Sequence, residues 1–383
     1  MKKVLIFGST GSIGKNALSV MKTATRKFKV LGLCANSDIK TLLFQIKEYC
    51  PRYVCVVDEK QASILAKSLD KRITLFRGQV GLEEFSTINS DISIMGISGI
   101  AALKSLMINL KHTKKIALAN KESIVVGGSF VLNKAKRCKT EIIPVDSEIN
   151  SLFQLFSIND KHLNKVYLTA SGGSLINYKK KELAKVSAKE VLAHPTWKMG
   201  PRVTVDSATL VNKGFEVIET HCFFDIPYED IDIIIHRQST VHAMIEFKDS
   251  ALFACIYPPD MKMPIAYALY HPARSPHAGG TGLGLKFSLS FEPLDYKQFP
   301  SIKIILEAAK RGGNSLAVLN ACDEVAVEYF LRDKIKFTHI HKILERMFSK
   351  MPQASLKSVD DVFFWDKWAR QKTNEYIKSG LTN

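Results

Sequence analysis

Asp146 and Glu148 stand two apart in the stretch Ile142–Asn150, IIPVDSEIN, with only Ser147 between them. Ile142 and Ile143 read as the end of a buried strand, and Pro144, which cannot donate to a sheet ladder, marks where it stops. In extended backbone, residues two apart point to one side, so both carboxylates can converge on a point. Two anions held that close repel each other and raise a pKa unless a cation lies between them. No His or Cys is nearby, so the cation that suits them is hard and oxygen-seeking: Mg²⁺ or Mn²⁺, with Co²⁺ a further candidate. A solvated acidic turn is the plain alternative.

Other side chains along the chain could take part in the same chemistry. Ser207–Glu219, SATLVNKGFEVIE, reads as one helix on which Asn212, Lys213 and Glu216 share a face. A surface ion pair would explain that spacing, yet these polar groups sit among Leu, Val, Phe and Ile. Ala170–Gly173 is a small-residue turn suited to an anion. His194–Pro201, HPTWKMGP, cannot form regular structure, and Trp197 within it is placed to act as a lid that excludes water. Packing of Trp197 into a core is the alternative. His236 and His242 read as hydrogen-bonded structural imidazoles rather than metal ligands.

These residues need elements to hold them. Lys2–Phe7 is a short apolar strand that runs into Gly8, Gly11 and Gly14, followed by the helical stretch Lys15–Lys22. Strand, glycine turn and helix is the context of a dinucleotide fingerprint, with the helix N-terminus facing a pyrophosphate. The spacing is G-x-x-G-x-x-G. After the second strand, Lys29–Leu33, the acid that would hold a ribose 2′-OH is replaced by Cys34–Ala35–Asn36–Ser37, which favours a 2′-phosphate and hence NADPH. Asp38, one step further, speaks for the other cofactor. An amphipathic helix is expected at Lys40–Tyr49. Strands are expected at Tyr53–Val57, Ile73–Phe76, Ile92–Met95, Lys115–Ala119 and Glu141–Val145. Repeated strand–helix units imply a parallel sheet with helices on both faces, whose ligands bind beyond the carboxyl ends of the strands. Asn120–Lys121–Glu122 and Asp146–Ser147–Glu148 both stand at such ends.

Beyond Asn150 the pattern changes. A strand is expected at Lys165–Thr169 and strands of a second sheet at Ile231–Ile235 and Ala251–Tyr257, with a turn over Pro258–Pro264 and helices from Ile302 onward. The expected organisation is α/β: a Rossmann-like NADPH-binding domain at 1–145, an α+β metal and substrate domain at 146–270 with lid 194–201, a linker at 271–296, and a helical domain at 297–383.

Composition excludes several classes. The chain has 383 residues, 46% of them hydrophobic, enough to bury cores in two or three domains. No apolar run approaches the ~20 residues of a membrane span, and Val4–Phe7 is too short for a signal peptide, so the expected location is cytoplasmic, without a membrane partner. The seven cysteines, at an odd count and with no C-x-x-C, read as reduced thiols. A net charge of +17 raises nucleic-acid binding. The lysines are dispersed, however, and a basic surface that steers a phosphorylated substrate and a dinucleotide explains the charge as well.

Taken together, GSTGSIG, Pro51–Tyr53, ALANKES, PVDSE, TASGG, HPTWKMG, VDSATLVNKGFE and PDMKMPIA resemble the 1-deoxy-D-xylulose 5-phosphate reductoisomerase family nearly end to end. The resemblance implies an NADPH-dependent, homodimeric enzyme of non-mevalonate isoprenoid synthesis. It would convert 1-deoxy-D-xylulose 5-phosphate to 2-C-methyl-D-erythritol 4-phosphate by rearrangement followed by hydride transfer. Carried over by position, Asp146, Glu148 and Glu216 would ligate the divalent metal. Ser171, Ser207, Asn212 and Lys213 would hold the phosphate. Lys121, Ser147 and His194 would contact the substrate backbone, and Trp197 would cover it. Thr10, Gly11, Ser12, Ile13, Asn36, Ser37, Asn120, Glu122 and Gly200 would meet NADPH. Two departures stand out. Many members end the second strand A-G-(K/R)-N, where this chain has Ala35–Asn36–Ser37–Asp38 and so lacks the basic group at Ser37. Where the family usually reads N-A-A-N-E, this chain has Asn320–Ala321–Cys322–Asp323–Glu324, a change expected to matter for packing alone. A metal-independent dehydrogenase and a nucleic-acid binder are the competing readings.

Overall fold

The computed structural model of the protein describes residues 1–24, 26–158, 162–276 and 288–381. The chain divides into two compact units. Met1–Ser123, Val131–Phe153 and Asp260–Gly282 make the first; Ile124–Phe130, Gln154–Pro259 and Leu283–Asn383 make the second. These units interleave along the chain, whereas the division expected from sequence is linear. Of the expected linker 271–296, residues 277–287 lie outside the described residues.

The first part of the chain alternates strand and helix. Its elements are β1 (Lys2–Phe7), α1 (Ser12–Lys22), β2 (Phe28–Ala35), α2 (Ile39–Tyr49), β3 (Tyr53–Val56), α3 (Glu59–Ala66) and β4 (Thr74–Arg77). There follow α4 (Gly78–Ser86), β5 (Ser90–Met95), α5 (Ala101–Asn109), β6 (Thr113–Leu118), α6 (Lys121–Cys138), β7 (Glu141–Pro144) and α7 (Ser147–Phe156). The seven strands form one sheet in the order β4-β3-β2-β1-β5-β6-β7, and every pair is parallel. Val4–Phe7 of β1 are fully buried, as a central strand covered on both faces must be. The strand order reverses between β1 and β5, which is where an open parallel sheet of this kind forms its ligand crevice. Every strand expected in this part of the chain is present, β1 at the expected bounds and the others displaced by no more than two residues at an end.

The second unit holds β8 (Leu163–Ala170), α8 (Ala188–Leu192), α9 (Pro201–Thr209), α10 (Val211–Phe224), β9 (Ile231–Ile235), β10 (Val241–Phe247) and β11 (Leu252–Ile256). The chain then returns to the first unit with α11 (Lys262–Tyr270), which packs on α1. It ends with β12 (Glu292–Pro293), α12 (Pro300–Arg311), α13 (Ser315–Leu331), α14 (Phe337–Lys350) and α15 (Val359–Lys378) in the second unit. The second sheet runs β11-β10-β8-β9-β12. The β8–β9 pair is parallel and the others are antiparallel.

One strand went unread in the sequence, and two local expectations are corrected. β10 carries His242 and pairs with both β8 and β11; its near-continuous apolar run, VHAMIEF, lacks the alternation that marks a strand. Met261–Pro264 does not form a turn, because the helix α11 begins at Lys262 and accommodates Pro264 in its first turn. Ser207–Glu219 is not one helix: the chain breaks at Leu210, which adopts a left-handed conformation with φ 58° between α9 and α10.

Candidate active site

In the first unit, the glycine turn is shaped by close backbone approach. Gly8 has φ +78°, and a Cβ there would lie 2.6 Å from the Gly96 carbonyl oxygen at the end of β5. Gly11 differs: an added Cβ would meet only the Gly8 oxygen, at 3.4 Å, so its outer side is open. It is the N-cap of α1 and supplies no side-chain cap. The first N–H groups of a helix have no partner one turn back, so α1 presents uncapped donors and a partial positive charge beside Thr10, Ser12 and Ile13. At the end of β2, Asn36, Ser37 and Asp38 are exposed. Asp38 is occupied as the cap of α2, its Oδ1 accepting from the Thr41 N–H at 3.0 Å. That bond holds its carboxyl below the usual range, and it is directed at its own helix.

Asn120, Lys121 and Glu122 open α6 at the end of β6. Asn120 caps the helix through the Ser123 N–H, at 3.0 Å. It donates to Gly99 O and to Glu122 Oε2, both at 3.0 Å, while Glu122 Oε1 accepts from Gly99 N–H at 2.9 Å. Both side chains are thus buried and tied to the Gly99 loop that leads from β5 to α5. Lys121 instead reaches the next strand end, where its Nζ lies 2.5 Å from Asp146 Oδ2.

Asp146 and Glu148 do converge, but not for the reason expected. The backbone there is not extended: Asp146 O accepts from Asn150 N–H at 2.8 Å, so Asp146 stands at the cap of α7 and Glu148 in its first turn. One ligand oxygen from each lies within 4.8 Å of the other. A helix N-terminus favours both anions. Ser147 Oγ donates to Glu148 Oε2, and Asn150 donates to Pro144 O at 2.7 Å, which pins the turn.

In the second unit, two polar groups flank the break at Leu210. In the first, the His194 ring accepts on Nδ1 from the N–H groups of Thr196 and Trp197, at 3.3 and 3.0 Å. The ring proton therefore lies on Nε2, which donates to Ser171 Oγ at 3.0 Å, with Ser207 Oγ 3.4 Å away. Burial holds the His194 pKa below its ordinary value, so the ring is neutral at neutral pH. Gly173, φ +70°, lets the turn after β8 touch α9: a Cβ there would lie 2.8 Å from Ala208 Cα and Ser207 O. Trp197 is half-buried, its ring 5.9 Å from that of His242. His242 in turn stacks on Tyr257 at 3.9 Å and meets Tyr257 O at 3.0 Å. His236 is hydrogen-bonded to Ser290 and Thr240, as a structural imidazole should be.

In the second group, Glu216 accepts from Asn212 Nδ2 at 2.5 Å and pairs with Lys213. Lys213 and Glu216 are only 3% and 1% exposed, so this is no solvated surface ion pair. Asn212 and Lys213 occupy the uncapped first turn of α10, and the dipole there adds to the attraction for an anion. Gly200, the N-cap of α9, is exposed with nothing within 4 Å of an added Cβ. Sequence reasoning overlooked Arg202 on α9; its signal was an acid one turn on, Asp206, in a segment otherwise small and apolar.

Comparison with known proteins bears on the whole chain. Residues 4–128 match the family described as 1-deoxy-D-xylulose 5-phosphate reductoisomerase. Residues 142–224 match the C-terminal domain of that reductoisomerase, and 256–372 match the DXP reductoisomerase C-terminal domain. The 1-deoxy-D-xylulose 5-phosphate reductoisomerase of Thermodesulfovibrio yellowstonii is 44% identical over 380 residues, covering 98% of this chain and 100% of that protein. That of Thermoanaerobacter pseudethanolicus is 40% identical over 375 residues, covering 97% and 98%. Among solved structures, a DOX-P reductoisomerase in complex with NADPH, fosmidomycin and magnesium superposes with a TM-score of 0.94 at 31% identity, covering both chains completely. The Zymomonas mobilis reductoisomerase in complex with NADPH gives 0.90 at 33% identity, covering 99% of each.

Proposed function

This chain belongs to the 1-deoxy-D-xylulose 5-phosphate reductoisomerase family, and from that premise we propose that it converts 1-deoxy-D-xylulose 5-phosphate to 2-C-methyl-D-erythritol 4-phosphate. The reaction depends on NADPH and a divalent cation, in keeping with the related structures that hold NADPH and magnesium. In terms of role, 1–145 binds NADPH, 146–270 binds metal and substrate, and 297–383 supports them.

Asp146, Glu148 and Glu216 together hold the cation, each offering a carboxylate oxygen. An all-oxygen donor set with no sulfur or imidazole suits Mg²⁺, with Mn²⁺ and Co²⁺ as alternatives. Once bound, the cation supplies Lewis-acid polarisation of the substrate carbonyl. Lys121, Ser147 and His194 orient the substrate backbone. Ser171, Ser207, Asn212 and Lys213 hold its phosphate with hydroxyl and amide donors, one cation and the α10 N-terminus. The His194 Nε2–H donates within this set. Loop 194–201 closes Trp197 over the substrate and keeps water from the aldehyde awaiting hydride. Thr10, Gly11, Ser12 and Ile13 cradle the pyrophosphate, Asn36 and Ser37 face the 2′-phosphate, and Gly200 meets the cofactor. Asn120 and Glu122 serve NADPH by fixing the Gly99 loop.

The observation that carries this reading is a pairing of carboxylates and lysines in family order. Asp146 is paired with Lys121 at the head of α7, and buried Glu216 with Lys213 on α10. Neither arrangement serves a plain dehydrogenase or a nucleic-acid surface. The test is NADPH oxidation by purified protein with 1-deoxy-D-xylulose 5-phosphate, with and without Mg²⁺. Turnover is expected with the ion and lost with EDTA. Glu216→Gln is expected to abolish turnover while NADPH binding persists. Full activity in EDTA, or in Glu216→Gln, would remove the metal reading and leave the metal-independent dehydrogenase.

A homodimer in the cytoplasm completes the proposal. Among the described residues no helix is long and apolar enough to cross a membrane. Among the described residues β11 ends the second sheet and exposes Leu252, Phe253 and Ile256, an apolar surface that a second copy can cover.

A further inference from the structure

α9 links two parts of the proposed site, since it begins at Gly200 and carries Ser207. Little at its own N-terminus fixes it, because Gly200 supplies no cap and is open on its outer side. Its first turn is tied instead to the C-terminal helices. Arg202, in the first turn of α9, donates to Glu324 Oε1 at 2.6 Å and to Asn320 Oδ1 at 3.0 Å, both on α13. The same guanidinium lies 3.5 Å from Asp206 Oδ2 and 3.8 Å from Asp323 Oδ2. The second oxygen of Glu324 accepts from Arg370 on α15. Arg370 in turn grips Asp366 through Nε and Nη2, at 2.8 and 3.0 Å. One carboxylate thus bridges guanidinium groups from two helices.

The bridge is largely withdrawn from water. Asp323 is completely buried, and the Arg202 and Glu324 side chains are 19% and 15% exposed. Burial opposes ionisation of Glu324, yet Arg202 and Arg370 outweigh it and hold its carboxyl below the usual range. Apolar side chains would join three helices at no electrostatic cost. A fork of fixed hydrogen bonds does something apolar packing does not: it admits a single rotational setting of the helix. On an α-helix, a slip of one residue turns every side chain by about 100°. Such a slip would carry Ser207 away from His194 and drive the helix backbone into Gly173, which already lies in close contact with Ser207 and Ala208.

We propose that Arg202, Glu324 and Arg370 form a positioning relay through which α13 and α15 set the rotation of α9, and so aim Ser207 and the end of loop 194–201 at the substrate phosphate. The inference rests on Ser207 as a phosphate ligand. It gives the C-terminal helices a part in substrate recognition that they perform without touching substrate. The Asp323–Glu324 pair, where the family usually reads Asn–Glu, then serves recognition and not packing alone.

The test uses the full chain carrying Glu324→Gln, Arg370→Met or Arg370→Lys, with folding checked by circular dichroism and thermal melting. KM is measured separately for 1-deoxy-D-xylulose 5-phosphate and for NADPH, and inorganic phosphate serves as a competitive probe. For Glu324→Gln and Arg370→Met, KM for the sugar phosphate and the inhibition constant of inorganic phosphate are expected to rise together by about tenfold. KM for NADPH should stay unchanged, and Arg370→Lys should recover part of the loss. A folded variant with a lowered melting temperature but an unchanged sugar-phosphate KM shows mere structural support and overturns the relay. Equal weakening of both substrates overturns it as well. Wild-type protein inactive on the sugar phosphate would instead overturn the functional reading on which the relay rests.

Discussion

His194 receives two backbone N–H groups on Nδ1, and that arrangement makes it sensitive to acid. Protonation would place a proton on Nδ1 and break both bonds. Its folded pKa lies below the value in an unfolded chain, so the unfolded state binds the proton more readily. The stability of this loop start is therefore present above about pH 6.5. It is lost as pH falls through the lower folded value. An acid limb in kcat/KM for the sugar phosphate is expected in that window, and His194→Asn should remove it along with most of the activity. An acid limb that persists unchanged in that variant would assign it to another group. Residue types were readable at this scale because the motifs fix spacing: Asn212, Lys213 and Glu216 meet on one face as i, i+3 and i, i+4 neighbours must. Conformation at single residues was not. Leucine carries no turn signal, so the left-handed Leu210 stayed hidden, and D-x-E reads equally well as strand or helix cap.

The elements around the glycine turn separate two roles that one motif conceals. Gly8→Ala would force a methyl group to 2.6 Å from a carbonyl oxygen at a positive φ, at a cost of about 1–3 kcal/mol. Gly11→Ala meets only ordinary contact at 3.4 Å and φ −77°, so it should fold normally and weaken NADPH binding by intruding on the anion. Thermal melting and NADPH titration on the two variants test this contrast. Equal melting temperatures would show that the β1–β5 approach is not tight. The parallel strands were legible because each is an apolar run followed by a helix. β10 was not, because a strand buried along nearly its whole length shows no alternation, and one of its two neighbours in the sheet, β8, comes from distant sequence.

At the scale of the molecule, sequence order and spatial order part company. α11 returns to the first unit after the whole β8–β11 excursion, and no local signal marks such a return, since its partner is α1, whose last residue, Lys22, precedes Lys262 by 240 positions. The exposed β11 edge has a consequence for assembly. Wild-type protein is expected to sediment as a dimer, and Phe253→Lys, which places a charge on that edge, should shift it toward monomer. A monomeric wild type at all concentrations would dismiss the edge as an interface.

Asp38 stands beside the proposed dinucleotide site yet is turned to its own helix, bonded to an N–H in the first turn of α2. An engineer seeking a variant that runs on the unphosphorylated coenzyme cannot simply redirect it, because removing it frays α2. A new acid at the exposed Ser37, with Asp38 left in place, is the change that this architecture leaves open.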